Sequence, residues 1–327
     1  MLDEEAPSYF PNRNLSAEWP QSGEIVFKDV EMRYRTGLPL VLKSFNLHVK
    51  GGERIGVVGR TGAGKSSIMS TLFRLVELSG GAITIDGVDI STVGLADLRS
   101  RLAIIPQDPT LFRGTVRSNL DPFNAYTDLQ LWSALRQADL IGSEVPSSDA
   151  PIDVVDNTQA APVELEKKSG TLYPGVSPQE TSVPVSSGRF GLDSPVEEEG
   201  LNFSLGQRQL MALARALVRN AQIIVCDEAT SSVGTFHSFP QSHVCPLIMF
   251  VDMATDDKIQ LTMKTAFEGR TVLCIAHRLK TILNYDRIVV MDKGEVTEVG
   301  TPIELFRSDG IFTSMCNRSK ITEADFV

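Results

Sequence analysis

Gly59-Arg-Thr-Gly-Ala-Gly-Lys65-Ser66 is the most informative run of residues in this chain. It follows Glu53-Arg-Ile-Gly-Val-Val-Gly, an apolar run typical of a β-strand, and it leads into residues 66–78, whose apolar side chains have helical spacing. Glycines in such a turn let backbone N–H groups point inward around an anion, and the helix N-terminus adds partial positive charge. The sequence therefore predicts a phosphate-binding loop between a strand and a helix.

The lysine and the serine that close this loop have specific expected contacts. Lys65 is expected to reach the β- and γ-phosphates of a nucleoside triphosphate, and Ser66 is expected to ligate Mg²⁺. The residues expected to surround the nucleotide are Gly59, Arg60, Thr61, Gly62, Ala63, Gly64, Lys65, Ser66 and Ser67. The alternative is a glycine-rich turn that carries a lysine by chance.

Two acidic residues follow a second apolar run, Gln222-Ile-Ile-Val-Cys226. In a protein with a phosphate-binding loop, acids at the end of such a strand complete the magnesium site. Asp227 is expected to hold Mg²⁺ through water, and Glu228 is expected to polarise the attacking water. Taken alone, the same two acids would be typical of a solvated strand end.

Several short runs predict a sheet around this loop. Residues 24–28 and 40–42 are strand-like, whereas residues 222–226 and 271–276 are apolar along their whole length. Strands of the second kind suit a parallel sheet that is covered on both faces. The fold class predicted from this pattern is α/β.

Composition limits the class of protein. The chain has 327 residues, 42% of them hydrophobic, with a mean hydropathy of −0.02, which is typical of a globular protein of about two domains. No run of 18 apolar residues occurs, and the acidic N-terminus does not resemble a signal peptide. A net charge of −10 without a basic cluster argues against nucleic acid as a partner. Four widely spaced cysteines indicate a reducing compartment: Cys226, Cys245, Cys274 and Cys316.

A further motif narrows the family. Phe203-Ser-Leu-Gly-Gln-Arg-Gln209, followed by a helical run over residues 210–219, closely resembles the signature motif of ATP-binding-cassette (ABC) proteins. The resemblance implies that Ser204, Gly206 and Gln207, at a helix N-terminus, bind the γ-phosphate of an ATP held by another subunit. The alternative is an ordinary serine N-cap on an amphipathic helix.

Three single residues match the rest of the ABC set in the family's order. Tyr34 matches the aromatic residue that stacks on adenine, and its alternative is a half-buried strand tyrosine. Gln107 matches the glutamine that senses Mg²⁺ and water and couples to the membrane domains, and its alternative is a loop glutamine without a role. His277 matches the switch histidine that contacts the γ-phosphate, and its alternative is a histidine that caps the core.

Several longer sequence segments are similar to the second nucleotide-binding domain of the multidrug-resistance-associated (C) subfamily. They include Tyr34 to Lys43, Gly59 to Ser67, Ile105 to Pro109 with Asn119 to Phe123, and Gly294 to Gly300. Arg189 to Asp193 and Glu197 to Ser204 resemble the fungal oligomycin-resistance type.

The resemblance covers about residues 20–320 and implies a P-loop NTPase of the ABC ATPase type, with a mainly parallel core sheet, an antiparallel β edge and a helical subdomain. It implies Mg²⁺-dependent ATP hydrolysis that powers an exporter of drugs or organic anions. The implied catalytic residues are Glu228, His277, Lys65 and Gln107, and the implied metal ligands are Ser66, Gln107 and Asp227. The implied partners are a second ABC cassette and the transmembrane domains of an exporter, at the cytoplasmic face of a membrane.

Four segments depart from the family pattern or lie outside it. Residues 1–23 are polar, and we interpret them as a linker-like lead-in with little structure; residues 321–327 form a tail. Residues 143–187 are rich in proline and serine and predict a disordered insertion. Residues 234–251 separate Glu228-Ala-Thr-Ser-Ser-Val233 from Asp252, whereas the family continues directly with an aspartate. We interpret this insert as a translated, unspliced intron.

These departures leave rival interpretations open. No membrane domain precedes the cassette in this sequence, so a fragment of a longer protein is the simple interpretation. The interrupted aspartate loop favours a non-catalytic nucleotide-binding chain as one alternative. A soluble ABC ATPase without a transport role is the other.

Overall fold

A six-stranded, mainly parallel sheet forms the centre of the molecule in the computed structural model, which describes residues 6–9, 15–16, 18–141, 191–227, 259–276 and 278–326. Its strand order is β12-β11-β3-β10-β9-β6. Within it, β6, β9, β10, β3 and β11 run parallel, and β12 pairs antiparallel with β11 at the edge. The strands of this sheet are β3 (Arg54–Gly59), β6 (Leu102–Ile105), β9 (Ile223–Asp227), β10 (Thr271–Ile275), β11 (Arg287–Asp292) and β12 (Glu295–Gly300).

A second, four-stranded sheet is antiparallel and lies beside the first. Its order is β2-β1-β4-β5, with β1 (Ile25–Met32), β2 (Leu42–Val49), β4 (Gly80–Ile85) and β5 (Val88–Asp89). Phe27 and Phe45 pack edge to face between its strands, with ring centroids 5.3 Å apart. The two short strands β7 (Gly114–Thr115) and β8 (Pro195–Val196), which are distant in sequence, form a separate antiparallel pair.

The helices fall into three groups. Two helices adjoin central strands: α1 (Lys65–Leu72) follows β3 directly, and α2 (Leu95–Arg101) leads into β6. A helical subdomain contains α3 (Val116–Leu120), α4 (Asp128–Gln137) and α5 (Leu205–Arg219). The C-terminal part contains α6, described over residues 259–266, with α7 (Pro302–Arg307) and α8 (Ile311–Arg318). The predicted α/β fold, its antiparallel edge and its helical subdomain are confirmed.

The central strands are buried along their length, as their composition predicts. Ile223, Ile224 and Val225 are fully buried in β9, and β10 has no exposed residue. Because parallel strands with apolar residues on both faces must be covered on both faces, they organise two clusters of buried side chains, one on each side of the sheet.

The helix after the phosphate-binding loop is shorter than its sequence pattern predicts. It was expected to extend to residue 78, but α1 ends at Leu72. Arg74 takes a left-handed conformation with φ 49°, its N–H donates to Thr71 O, and the N–H of Leu75 donates to Ser70 O. This pair of bonds terminates a helix, and the sequence concealed it because glycine normally occupies the left-handed position. The strand expected at residues 40–42 begins at Leu42 instead.

The expectation of little structure before residue 24 is wrong for residues 18–23. Trp19 is only 5% exposed, and its indole N–H donates to Ile85 O over 3.0 Å. The carboxylate of Asp86 accepts hydrogen bonds from the N–H groups of Gln21, Ser22, Gly23 and Glu24. The polar composition of the lead-in hid one large apolar side chain and a run of backbone donors, which together fasten it to the antiparallel sheet.

Several sequence predictions fall outside the described residues: the insertion at 143–187, the insert at 234–251, and the residues Glu228 and His277. Among the residues that the structure describes, none of the helices combines the length and the apolar character that crossing a membrane requires.

Candidate nucleotide-binding site

The glycine-rich loop lies between β3 and α1, as predicted, and two of its glycines leave no room for a larger residue. Gly64 is the N-cap of α1 with φ 96°, and a Cβ there would lie 3.2 Å from Val41 O. A Cβ at Gly59 would overlap the carbonyl oxygen of Met291 in the neighbouring strand. Only glycine fits both positions, and the resulting turn directs the loop around the start of the helix.

Lys65 already points back into this loop. Its Nζ donates to Gly59 O over 2.9 Å and to Arg60 O over 3.2 Å, and the residue is only 5% exposed. The ammonium group is thereby held at the mouth of the loop by two carbonyl oxygens, which are acceptors that phosphate oxygens can replace. Ser66 and Thr61 beside it are exposed.

A distant glycine turn braces the loop from behind. Gly294, between β11 and β12, donates its N–H to Ala63 O over 3.0 Å, and its own carbonyl accepts from Lys43 N over 3.0 Å. Its φ is 90°, and a Cβ would overlap the carbonyl of Val41. One residue thus connects the phosphate-binding loop to the antiparallel sheet. Sequence reasoning did not identify this role for Gly294.

Asp227 and the loop that contains Gln107, which we call the glutamine loop, follow neighbouring strands of the parallel sheet. Asp227 is the last residue of β9 and pairs in register with Ile275 of β10, while Ile105 at the end of β6 pairs with Cys226. Gln107 follows β6 by two residues and is exposed. Because carboxyl ends of parallel strands meet at one edge of a sheet, Asp227, Gln107 and the loop after β3 belong to the same edge.

Tyr34 is brought to the same region from the antiparallel sheet. It lies in the loop after β1, its ring is half exposed, and its hydroxyl is 3.0 Å from Ser67 Oγ at the start of α1. It does not lie within a strand, so the alternative of a strand tyrosine does not describe it. An exposed aromatic ring beside the phosphate-binding helix is suited to stacking on a base.

Ser204 and Gln207 form a capping box at the start of α5. The Ser204 hydroxyl accepts from Gln207 N over 3.1 Å, and the Gln207 side chain accepts from Ser204 N over 2.9 Å. Gly206 is buried behind them. The ordinary N-cap role is therefore present in this chain, and among the described residues no acceptor contacts the backbone N–H groups of Leu205 and Gly206, which begin the helix.

Two residues that sequence reasoning missed connect α5 to the glutamine loop. Arg215 donates to Asn119 O, to Asn119 Oδ1 and to Thr110 O at 2.7–2.8 Å. Burial lowers the pKa of the Arg215 guanidinium. An arginine on the otherwise buried face of a helix was the only available sequence signal, and it does not reveal the partner.

Two thiols lie directly beneath the acidic strand end. Cys226 and Cys274 are opposite one another in register on β9 and β10, and both are buried. Their mutual hydrogen bond, together with burial, raises the pKa of the Cys226 thiol well above its ordinary value. Both cysteines were expected in buried strands, and this is confirmed.

Comparison with known proteins defines the family. The sequence pattern of the family described as "ABC transporter" matches residues 42–231. The chain is 57% identical to the ABC-type transporter cicA of Emericella nidulans over 327 residues, covering all of this chain and 20% of that protein. It is 51% identical to the oligomycin resistance ATP-dependent permease YOR1 of Saccharomyces cerevisiae, covering 97% of this chain and 19% of that protein. The chain therefore spans about a fifth of the length of the curated relatives it matches.

A solved structure supports the same assignment. A bacterial Atm1-family ABC exporter with ATP bound superposes with a TM-score of 0.70 at 28% identity, covering 97% of this chain and 45% of that chain. Other relatives include the ATP-binding cassette sub-family C member 3 of Homo sapiens, at 42% identity over 95% of this chain. The glycine-rich loop, the capped helix α5 and these similarities lead to one conclusion: the chain belongs to the ABC transporter family.

Proposed function

We propose that this chain binds and hydrolyses ATP and thereby powers export by an ABC transporter of the multidrug or organic-anion type. The observation that carries the proposal is the convergence of Tyr34, the loop ending at Lys65, and Asp227 at one edge of the molecule. An aromatic ring, a phosphate-binding loop and a carboxylate are the groups that recognise the base, the phosphates and the metal of a nucleotide.

Each residue has a proposed role. Tyr34 stacks on the adenine, and residues 59–67 hold the phosphates, with Lys65 donating to the β- and γ-phosphates. Glu228 positions the attacking water, and His277 stabilises charge on the γ-phosphoryl group. Gln107 reports the state of the site to the membrane domains.

The donor set suits Mg²⁺. Ser66 offers a hydroxyl, Gln107 an amide carbonyl and Asp227 a carboxylate, and Mg²⁺ prefers oxygen ligands of these kinds. Bound there, Mg²⁺ would supply positive charge that neutralises the β- and γ-phosphate oxygens.

The N-terminus of α5 is proposed to contact a second nucleotide. Ser204, Gly206 and Gln207 would close on the γ-phosphate bound by a second ABC cassette, so that two ATP molecules lie between the two cassettes. The other proposed partners are the transmembrane domains of an exporter, which places the cassette at the cytoplasmic face of a membrane. The proposed exporter type rests on the similarity to the C subfamily. Nucleic acid is not among the proposed partners.

The test is a titration of the purified chain with fluorescent ATP in the presence and absence of Mg²⁺, followed by a steady-state phosphate-release assay. We expect saturable ATP binding that Mg²⁺ strengthens. Glu228→Gln should keep ATP binding and lose turnover, because the amide cannot polarise water. Absence of ATP binding by the unmodified chain would refute the proposal.

A second candidate is a nucleotide-binding chain without turnover. The observation that favours it is the insert at residues 234–251, which lies six residues after Glu228 where the family continues with an aspartate. Binding without phosphate release in the unmodified chain would support this candidate.

A further inference from the structure

Arg215 joins two parts of the helical subdomain that the chain separates widely. It lies in α5, whose N-cap is Ser204, and within the described residues its guanidinium bonds to residues that follow Gln107. The acceptors are Thr110 O at 2.8 Å, Asn119 O at 2.8 Å and Asn119 Oδ1 at 2.7 Å. One side chain therefore holds both ends of the segment from Thr110 to Asn119.

The second half of this arrangement is made by Asn119. It is 4% exposed, its Oδ1 accepts from Phe112 N over 2.8 Å, and its Nδ2 donates to Phe112 O over 2.7 Å and to Thr115 O over 3.0 Å. The backbone of Phe112 is thus bonded on both sides, although its ring is 70% exposed. We call Arg215, Asn119 and the backbone of Thr110 and Phe112 the Arg215 clamp.

The chemistry of the clamp is specific to arginine. All three acceptors are uncharged oxygens, and within the described part of the chain no carboxylate pairs with Arg215. A planar guanidinium can donate in several directions at once from a fixed fork, whereas a lysine ammonium is a point charge on a flexible stem. The arrangement therefore depends on the donor geometry of the guanidinium and not on neutralisation of its charge.

We propose that Arg215 is a positioning residue for Gln107, because the clamp fixes the backbone three to five residues beyond Gln107 to α5, the helix whose N-cap is Ser204. Any displacement of α5 is transmitted to the glutamine loop through these bonds. The inference rests on the proposed function only in giving Gln107 a role at the metal. The clamp itself is tested without nucleotide.

The first measurement is hydrogen exchange of the Phe112 amide by NMR on the full chain. In the unmodified chain this amide should exchange at least about tenfold more slowly than unstructured chain, because it donates to Asn119 Oδ1. Arg215→Lys should accelerate its exchange about tenfold. The matched control is Arg219→Lys, one turn later in α5, whose guanidinium also donates to carbonyls, those of Arg99 and Leu102.

The second measurement is the ratio of ATP dissociation constants without and with Mg²⁺. Arg215→Lys should reduce this ratio about as much as Gln107→Ala does, while Mg²⁺-free affinity stays within twofold of the unmodified chain. The double variant should lose no more than either single variant, since both act on one contact. Arg219→Lys should leave the ratio unchanged.

The outcomes separate the inference from the proposed function. Fast exchange of Phe112 in the unmodified chain, or unchanged exchange in Arg215→Lys, overturns the clamp. Additive losses in the double variant overturn the positioning of Gln107. If the unmodified chain does not bind ATP, the proposed function fails, whereas the exchange measurement still decides the clamp. Asn119→Ser replaces Arg215→Lys as the test variant if thermal denaturation shows that the latter does not fold.

Discussion

The hydroxyl of Tyr34 lies 3.0 Å from Ser67 Oγ, so an aromatic ring from the antiparallel sheet is fastened to the first turn of the phosphate-binding helix. The two residues are 33 positions apart in sequence. Because Ser67 is buried, the bond fixes the ring at its far end and leaves the ring half exposed. The contact orients an aromatic surface beside the glycine-rich loop.

Two substitutions of Tyr34 should distinguish the contribution of its ring to ATP affinity from that of its hydroxyl. Tyr34→Ala should weaken ATP binding about tenfold, since stacking of a base on an aromatic ring contributes about 1–3 kcal/mol. Tyr34→Phe keeps the ring and should weaken binding less than about fivefold. Leu38→Ala, in the same loop and also exposed, is the control for a general disturbance. Isothermal titration with ATP measures all three, and equal affinity in the alanine variant and the unmodified chain would contradict the stacking role.

Replacement of Lys65 should act on phosphate recognition rather than on folding. Lys65→Met should weaken ATP binding about a hundredfold, because charge-assisted hydrogen bonds to phosphate oxygens are each worth about 1.5–3 kcal/mol. The effect on AMP should be much smaller, since AMP lacks the β- and γ-phosphates. Lys43→Met is the matched control, because that exposed side chain lies outside the loop and only its backbone contacts Gly294. Equal losses for ATP and AMP would argue against the proposed contact.

The hydrogen bonds between the lead-in and Asp86 should make the free energy of unfolding depend on pH in the acid range. Burial alone would raise the pKa of this carboxyl, but hydrogen bonds from the Ser22 hydroxyl and from the N–H groups of Glu24, Ser22 and Gly23 lower it below its ordinary value of 3.8. A lowered pKa in the folded state adds stability above about pH 4, and that stability is lost as the pH falls through the folded-state pKa.

Asp86→Asn tests this dependence. At pH 7 it should lower the free energy of unfolding by about 1 kcal/mol, and the difference from the unmodified chain should shrink as the pH is lowered below about 4. Urea denaturation at a series of pH values measures both effects. Asp193→Asn, at an exposed aspartate, is the control. If the difference in the free energy of unfolding stays constant down to the lowest pH, the negative charge of Asp86 does not contribute to stability.

Removal of residues 234–251 should raise turnover without changing ATP affinity. The insert follows Glu228, the proposed catalytic residue, closely in sequence and separates it from Asp252, whereas Tyr34 and Lys65 lie elsewhere in the chain. Steady-state ATPase assays of the two chains, with ATP affinity measured in parallel, are the test. Equal turnover in both chains would refute the effect on catalysis. Sequencing the mature transcript across this region tests the intron interpretation separately.

Local motifs were readable from sequence because their physics is local. The loop ending at Lys65 needs only a strand, a glycine turn and a helix that are consecutive in the chain. The apolar composition of β9 predicts that the strand is buried. The end of α1 was misjudged for an equally local reason. A left-handed arginine at position 74 terminates the helix where no glycine signals it.

Contacts between distant segments were not readable. The docking of Trp19 under Ile85 joins residues 66 positions apart, and the bond from Arg215 to Thr110 joins residues 105 positions apart. Nothing in either segment specifies its partner, because a tryptophan or an arginine finds its acceptors only when the tertiary fold supplies them. Single-sequence patterns therefore located the glycine-rich loop, β9 and α5, and missed the bonds that hold them in place.

The turn at Gly294 has a consequence for the distance between Tyr34 and the glycine-rich loop. The ring of Tyr34 is carried by the antiparallel sheet and the phosphate-binding loop by the parallel sheet, and Gly294 is bonded to Lys43 on one side and to Ala63 on the other. Together with the contact between Tyr34 and Ser67, it therefore holds the Tyr34 ring and the glycine-rich loop at a fixed separation. A turn that is remote in sequence from both, between β11 and β12, thus helps to determine the length of any ligand that could reach the ring and the loop at once.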